Sequence, residues 1–193
     1  MKKDLTATAV GLIVLTLVLG LLYPLAVTGI GQVAFNDAAN GSQLTVDGRV
    51  VGSRLLGQGF RRADHFHSRP SQSDYNPSAT FFSNAGPNGA DTRDAIRDNA
   101  AAYLKTEGRY DTGLTLAQIP PDAVQTSASG VDPHITVANA RIQAHRVAAV
   151  RGLPLDRVSQ LIEANTDDRS LGLFGEPGVN VLQLNLALDK ETR

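Results

Sequence analysis

From Leu5 to Asn36 the chain carries no charged residue, and within that run Val10 to Val27 contains twelve Leu, Ile or Val residues. A stretch of this length matches a hydrocarbon core about 30 Å thick at about 1.5 Å of rise per helical residue. At about −0.3 to −0.6 kcal/mol each, the twelve side chains supply roughly −4 to −7 kcal/mol of insertion free energy. Gly11, Thr16, Gly20 and Pro24 offset only part of it. The alternative is a cleaved signal peptide, whose apolar region spans about 7–15 residues and ends at a small-x-small site. Tyr23-Pro24-Leu25 stands where that site would need small residues, so a retained anchor is expected. Lys2 and Lys3 precede the run and the next basic residue is Arg49. The positive-inside rule then puts the N-terminus in the cytoplasm and the remainder outside it. The expected division is a tail over 1–6, a transmembrane helix over 7–31, and an extracytoplasmic domain over 32–193.

Beyond the anchor the chain reads as one compact α/β domain with a small sheet and about three helices. Gln32 to Ser42 is small and polar, a linker. Gln43–Val46 and Arg49–Val51 flank Asp47-Gly48, a dipeptide suited to a tight hairpin turn, and the second strand could continue through Arg54–Leu56. Asp64 to Ala90 is a polar loop with Phe66, Tyr75, Phe81 and Phe82 embedded, a combination that suggests order. Asp91–Glu107 carries Ile96, Ala100, Tyr103 and Leu104 on one helical stripe and is followed by Gly108. Asp132-Pro133 reads as a helix cap and first helical residue, opening a helix that runs to Arg151. Pro154–Asn165 is a third helix. Val179–Leu188 alternates, with Leu182, Leu184, Leu186 and Leu188 opposite Gln183 and Asn185, which predicts a half-buried strand.

The residue types exclude several chemistries. Cysteine is absent, so disulfides and thiol chemistry are too. Eighteen Lys and Arg balance nineteen Asp and Glu, with no basic patch of the kind nucleic acids require. His65-Phe66-His67 lacks further ligands at recognisable spacing, so it reads as a hydrogen-bonded loop element rather than a metal pair. Gly52 to Gly59 faintly resembles a phosphate loop but lacks the Lys-Ser or Lys-Thr of a true one, which favours glycine-kinked strands or turns. Ser127-Ala128-Ser129-Gly130 does not fit a nucleophile elbow. Asp122, Asp132, Glu163 and Glu176 read as caps or surface charges. Asp189-Lys190-Glu191-Thr192 matches the start of a phosphorylated-aspartate motif only by coincidence, and one transmembrane helix encloses no pore.

Longer strings then stand out: Tyr23-Pro24-Leu25-Ala26-Val27-Thr28-Gly29, Gly52-Ser53 with Leu55-Leu56-Gly57-Gln58, and Phe66-His67-Ser68-Arg69-Pro70-Ser71. Tyr75-Asn76, Ser83-Asn84 with Gly86-Pro87, and Ser127 with Ser129-Gly130-Val131-Asp132-Pro133-His134-Ile135 come next. Arg146-Val147-Ala148, Arg151-Gly152 and Gly175-Glu176-Pro177 with Val179-Asn180-Val181-Leu182 and Leu184-Asn185 to Asp189 complete the set. In this order they resemble the KdpC family, the third component of the bacterial Kdp potassium-transporting ATPase. Two departures are Ala85, where the family has leucine, and Gly178, where it has arginine; the second should affect local packing only.

The resemblance implies a non-catalytic accessory subunit in the bacterial inner membrane, within a four-part potassium importer. Its partners would be a channel-like potassium-translocating subunit (KdpA), a P-type ATPase subunit (KdpB), a small hydrophobic subunit (KdpF) and the lipid bilayer, with no nucleic acid. ATP and K+ would be used by the complex, and this chain itself would bind no cofactor and no metal. Two roles are proposed within the family: a chaperone raising the ATP affinity of the pump subunit, and an extracytoplasmic cap on the channel-like subunit. The expected orientation favours the cap, because ATP is cytoplasmic. The residues it nominates for partner contact or structure are Tyr23, Pro24, Thr28 and Gly29 on the anchor and Gln58 after the hairpin. His67, Ser68, Arg69 and Pro70 lie in the polar loop, with Asn84, Gly86 and Pro87 further along it. Asp132, Pro133, His134, Asn180 and Asn185 come last. The competing reading is an autonomous anchored hydrolase using Ser129, Asp132 and His134, or an anchored binding module.

Small residues Gly11, Thr16, Gly20 and Thr28 would permit close helix approach in lipid, although such residues are ordinary in transmembrane helices. An arginine at the helix middle costs about 2.5–3.5 kcal/mol of insertion and forfeits the valine's own contribution. Val14→Arg is therefore expected to lose the chain from its complex; undiminished co-purification of the variant would remove the anchor from assembly.

Overall fold

The computed structural model describes residues 2–79, 85, 86 and 88–191. Two compact units meet in sequence between Ser53 and Arg54, and each is taken by itself.

The first unit is led by helix α1, Lys2–Ala34, the one segment among the described residues long and apolar enough to cross a membrane. None of its residues is buried, so its leucines and valines have no protein core to enter. Proline has no N–H to donate, and the ladder changes register just ahead of Pro24. Val18–Leu22 forms a π-helical turn in which the Tyr23 N–H reaches back five residues to the Val18 carbonyl. The helix does not end at Pro24 and runs on for ten more residues. The expected linker over Gln32–Ser42 is also partly helical. After Phe35, Asn36–Ala39 makes a further turn, tied back by Asn36 and Asn40 side-chain amides donating to Gln32 Oε1 at 3.1 and 3.2 Å.

A hairpin comes next, β1 Gln43–Val46 and β2 Arg49–Ser53. Asp47 and Gly48 both take positive φ, 50° and 76°, the mirror-image turn that matches strand twist. Pairing runs from Val46–Arg49 to Gln43–Ser53 with a bulge after Leu44. β2 therefore stops at Ser53 rather than continuing through Leu56.

In the second unit, helix α2 (Ala90–Glu107) is followed by β3 (His134–Thr136), α3 (Val137–Arg151), α4 (Leu155–Ala164), β4 (Thr166–Asp167), β5 (Gly178–Asn180) and α5 (Val181–Glu191). The strands form an antiparallel sheet in the order β3-β5-β4. The core beneath it gathers Ile135, Ala140, Ala144, Val147, Val158, Ile162, Val179, Leu184 and Leu188 around Phe66. Phe66 is wholly buried, so the polar loop is ordered about its aromatic as expected there. Phe81 and Phe82 lie outside the described residues.

Two boundaries differ from expectation. Asp132-Pro133 does not open the helix that runs to Arg151: the chain first makes β3, and Thr136 caps α3 by accepting the Asn139 N–H at 3.1 Å. Asp132 instead accepts the His134 N–H at 3.0 Å and forms a turn. The predicted strand over Val179–Leu188 is wrong beyond Asn180. There the Asn180 side chain accepts the Gln183 N–H at 3.1 Å, and a helix begins. Val181, Leu184, Asn185 and Leu188 are buried, the i, i+3, i+4, i+7 face of a helix. Leucines at every second position fit both periods, and Leu and Ala favour the helix where β-branched residues are absent. Among the described residues, this unit accordingly has four α-helices, where about three helices were expected. At Gly178, a Cβ would lie 3.2 Å from the His134 Cβ, so glycine here permits the close approach of β5 to β3.

Candidate functional site

Helix α3 has two buried faces of opposite character. Ala140, Ala144 and Val147 enter the apolar core, while Asn139, Gln143 and Arg146 are each no more than 2% exposed. At spacing i, i+4 and i+7 the three polar side chains form a stripe. Burying them without partners would cost several kcal/mol, and every one is engaged.

Arg146 is the hub. Its Nε donates to both Glu107 oxygens at 2.9 and 3.1 Å. Nη1 donates to the Ala63 and His65 carbonyls, and Nη2 to Gln143 Oε1 at 3.0 Å. Burial pushes the Glu107 carboxyl up and the Arg146 guanidinium pulls it back. Next along the stripe, Gln143 pairs with the His67 backbone: its Oε1 accepts the His67 N–H at 2.7 Å and its Nε2 donates to the His67 carbonyl at 3.1 Å. Asn185 of α5 does the same for Phe66, at 2.8 and 2.9 Å. Two side-chain amides thus play the part of a neighbouring strand for consecutive residues of a loop.

The network continues. Gln143 donates to Asn139 Oδ1, which also accepts from the Tyr103 hydroxyl at 2.8 Å. Asn139 donates to Asp122, which accepts the Thr136 N–H and hydroxyl as well, all at 2.8–2.9 Å. Asp122 was expected as a cap or surface charge; it is instead an interior acceptor, only 8% exposed. Burial and the nearby Glu107 and Asp122 charges push the Tyr103 hydroxyl far up, so it remains a donor. Burial, helped by the Arg146 charge, pushes the His67 imidazole down, and its Nε2 faces the Arg62 carbonyl at 3.0 Å.

Around this spine the structure gathers most of the nominated residues. Ser68 donates to the Gln58 carbonyl at 2.7 Å. Arg69 pairs with Asp132 at 2.9 Å, and the Tyr75 hydroxyl donates to the Arg69 carbonyl at 2.8 Å. The Pro70 carbonyl accepts the Ser127 N–H, and the Pro133 carbonyl accepts the Val181 N–H. Asn180 donates to the Arg54 carbonyl at 2.8 Å. His134 Nε2 lies 2.8 Å from Asp167. Gly86 stands apart, accepting from Gly89 and Thr92, and Asn84 and Pro87 lie outside the described residues. Tyr23, Pro24, Thr28 and Gly29 are exposed on α1. Sequence reasoning missed Glu107, Asp122, Asn139 and Gln143 and quoted Arg146 only within a string. The signal was available: a polar i, i+4, i+7 stripe on a helix otherwise rich in Ala and Val.

His65, beside His67, stacks on Phe60 at 5.8 Å between ring centres. Its Nδ1 lies 3.1 Å from Asp64, whose carboxyl is held at about 2 chiefly by the hydrogen bond from Arg62. Arg151 bridges Asp189 at 2.7 Å.

The Ser129 hydroxyl accepts the Val131 N–H at 3.2 Å, and both ring nitrogens of His134 face carboxylates, Asp132 at 3.9 Å and Asp167. Among the described residues, Ser129 and His134 are therefore bonded to other groups rather than to each other. The glycines after β2 do not cradle a phosphate. The Gly57 N–H donates to the Val131 carbonyl at 2.7 Å, and a Cβ there would sit 2.4 Å from the Asp132 carbonyl oxygen. Gly59 packs against the Tyr75 ring. These glycines permit close backbone approach.

Among the described residues, one helix long and apolar enough to cross a membrane precedes a domain whose interior polar groups are engaged in fixing its own loop, and these two features define the class of protein. Residues 5–190 match the family model described as KdpC, the c chain of the K+-transporting ATPase. Among curated proteins, the potassium-transporting ATPase KdpC subunit of Mycobacterium bovis (strain BCG / Pasteur 1173P2) is 45% identical, over 98% of this chain and all of its own length. That of Cereibacter sphaeroides (strain ATCC 17023) is 45% identical over 98% of each chain, and that of Koribacter versatilis 42% identical over 98% of this chain and 95% of its own. The chain belongs to the KdpC family.

Arg146→Met leaves Glu107 buried without its cation and two loop carbonyls without a donor. The substitution is expected to lower folding free energy by about 3–5 kcal/mol in denaturant titration. Adding Glu107→Gln should recover part of that loss; a loss below about 1 kcal/mol for the single variant would show that the pair is not the hub.

Proposed function

We propose that this chain is a non-catalytic accessory subunit of a potassium-transporting ATPase complex, anchored by α1, with its second unit on the extracytoplasmic side. The observation that carries this reading is the match over residues 5–190, which takes in α1 and the polar spine together. The orientation is supported by Lys2 and Lys3 ahead of the span, with Arg49 the first basic residue after it. In this reading the chain binds no cofactor of its own; ATP and K+ are handled by the channel-like, P-type ATPase and small hydrophobic subunits.

Of the two roles, the extracytoplasmic cap fits better. A rigid domain outside the membrane biases a partner's conformations through contacts that differ between its states, whereas a cytoplasmic nucleotide is beyond its reach. The close packing of Gly57 and Gly59, which leaves no phosphate cradle there, supports the same choice.

Affinity purification of the tagged full chain from potassium-starved membranes is expected to recover a P-type ATPase and a multi-span channel-like protein, identified by mass spectrometry. Elution of this chain alone at normal abundance would contradict the reading and favour an autonomous anchored domain.

A further inference from the structure

The connection between β4 and β5 forms a knob of unusual composition. Ser170 and Phe174 pair as an antiparallel bridge, each N–H donating to the other's carbonyl at 2.8 and 3.0 Å. Within it, the Gly172 N–H donates to the Arg169 carbonyl and the Leu173 N–H to the Ser170 carbonyl. Arg169 and Glu176 close the neck at 2.6 Å. The base is the sheet itself, since β5 is its central strand. This ordered turn points its apolar side chains at solvent: Leu171 is 87% exposed, Leu173 75% and Phe174 65%. Leu171 also holds φ at 55°, a conformation leucine seldom takes. Among the other exposed large apolar residues described in this unit only Leu55 and Leu56 adjoin, and both are less exposed than the tip, while Tyr110, Leu116, Val150 and Leu155 stand singly. A fixed, three-residue apolar tip is the kind of exposed feature that marks an interaction site.

The charges around it select the occupant. Asp167, Asp168 and Glu176 are exposed; Arg169 pairs with Glu176 and His134 faces Asp167, and the carboxylates still outnumber the one guanidinium. An anionic bilayer surface would repel this rim, whereas a protein socket edged with basic side chains would complement it. We infer that Leu171, Leu173 and Phe174 form a docking knob that inserts into an apolar, basic-rimmed socket on another subunit of the ATPase complex. This rests on the accessory-subunit reading above. The turn's own hydrogen bonds pre-organise it, so little side-chain and loop ordering is left to be done on binding.

The test uses the full chain expressed with its complex in native membranes. With Phe174→p-benzoylphenylalanine, irradiation is expected to yield an adduct that mass spectrometry assigns to a peptide of another ATPase subunit. In parallel, Leu171→Ser/Leu173→Ser/Phe174→Ser should leave the melting temperature of the chain unchanged, because none of the three is buried. It should lower recovery of the other subunits by more than about tenfold, since burying even one large apolar side chain is worth that much. Adducts with lipid or with a second copy of the chain would overturn the inference, as would undiminished recovery with the triple variant. In each of those cases the unaltered chain still co-purifies with its partners, and the accessory-subunit reading stands. An unaltered chain that recovers no other subunit overturns both.

Discussion

A guanidinium removed from water must have every bond it can make, and the second unit is organised around that requirement at Arg146. Three segments distant in sequence meet on it: Glu107 at the end of α2, the Ala63 and His65 carbonyls of the loop, and Gln143 of its own helix. A loop with no strand beside it has backbone groups to satisfy. Gln143, Asn185 and Arg146 supply the missing partners, and this lets Phe66 fill the centre of the core without a ladder to hold its backbone. A buried ion pair is poor evidence of added stability, because desolvation offsets much of its attraction. Its value here lies in specificity: only one placement of the loop satisfies all these donors and acceptors.

Much of the local structure was legible in the sequence, for reasons that differ by element. Asp47-Gly48 dictates its turn through backbone conformation alone. The helices over residues 90–107 and 155–164 arise from apolar stripes and terminal glycine or proline, with boundaries within a residue or so of expectation. The failures lie where two physical signals coincide. Alternating leucines over Val179–Leu188 argue for a strand, but Leu184 and Leu188 with Val181 and Asn185 also make a helical face, and Asn180 caps the helix. Asp132-Pro133 has the form of a helix start, yet Asp132 is drawn to Arg69 and to a turn of its own, and the cap falls to Thr136.

The polar spine itself was not legible in the sequence, although several residues that gather around it were nominated there. His67 to Pro70, Asp132 to His134, Asn180 and Asn185 do converge, although the first and last of them are more than a hundred residues apart in the chain. Sequence could not supply the fact that most act on backbone: Asn185 on Phe66, Asn180 on Arg54, Ser68 on Gln58. Such bonds leave no recognisable spacing, because the partner is a peptide group present at every position. Residues of this kind fix the course of the backbone, which accords with the accessory-subunit role proposed above.

Side chains, on this view, hold the loop as firmly as a sheet would. Native-state hydrogen exchange of the Phe66 and His67 amides measures that directly. The prediction is exchange only through global unfolding, with the same free energy as the core amides of α3 such as Val147. Exchange orders of magnitude faster than those amides, through local opening of the loop, would contradict it.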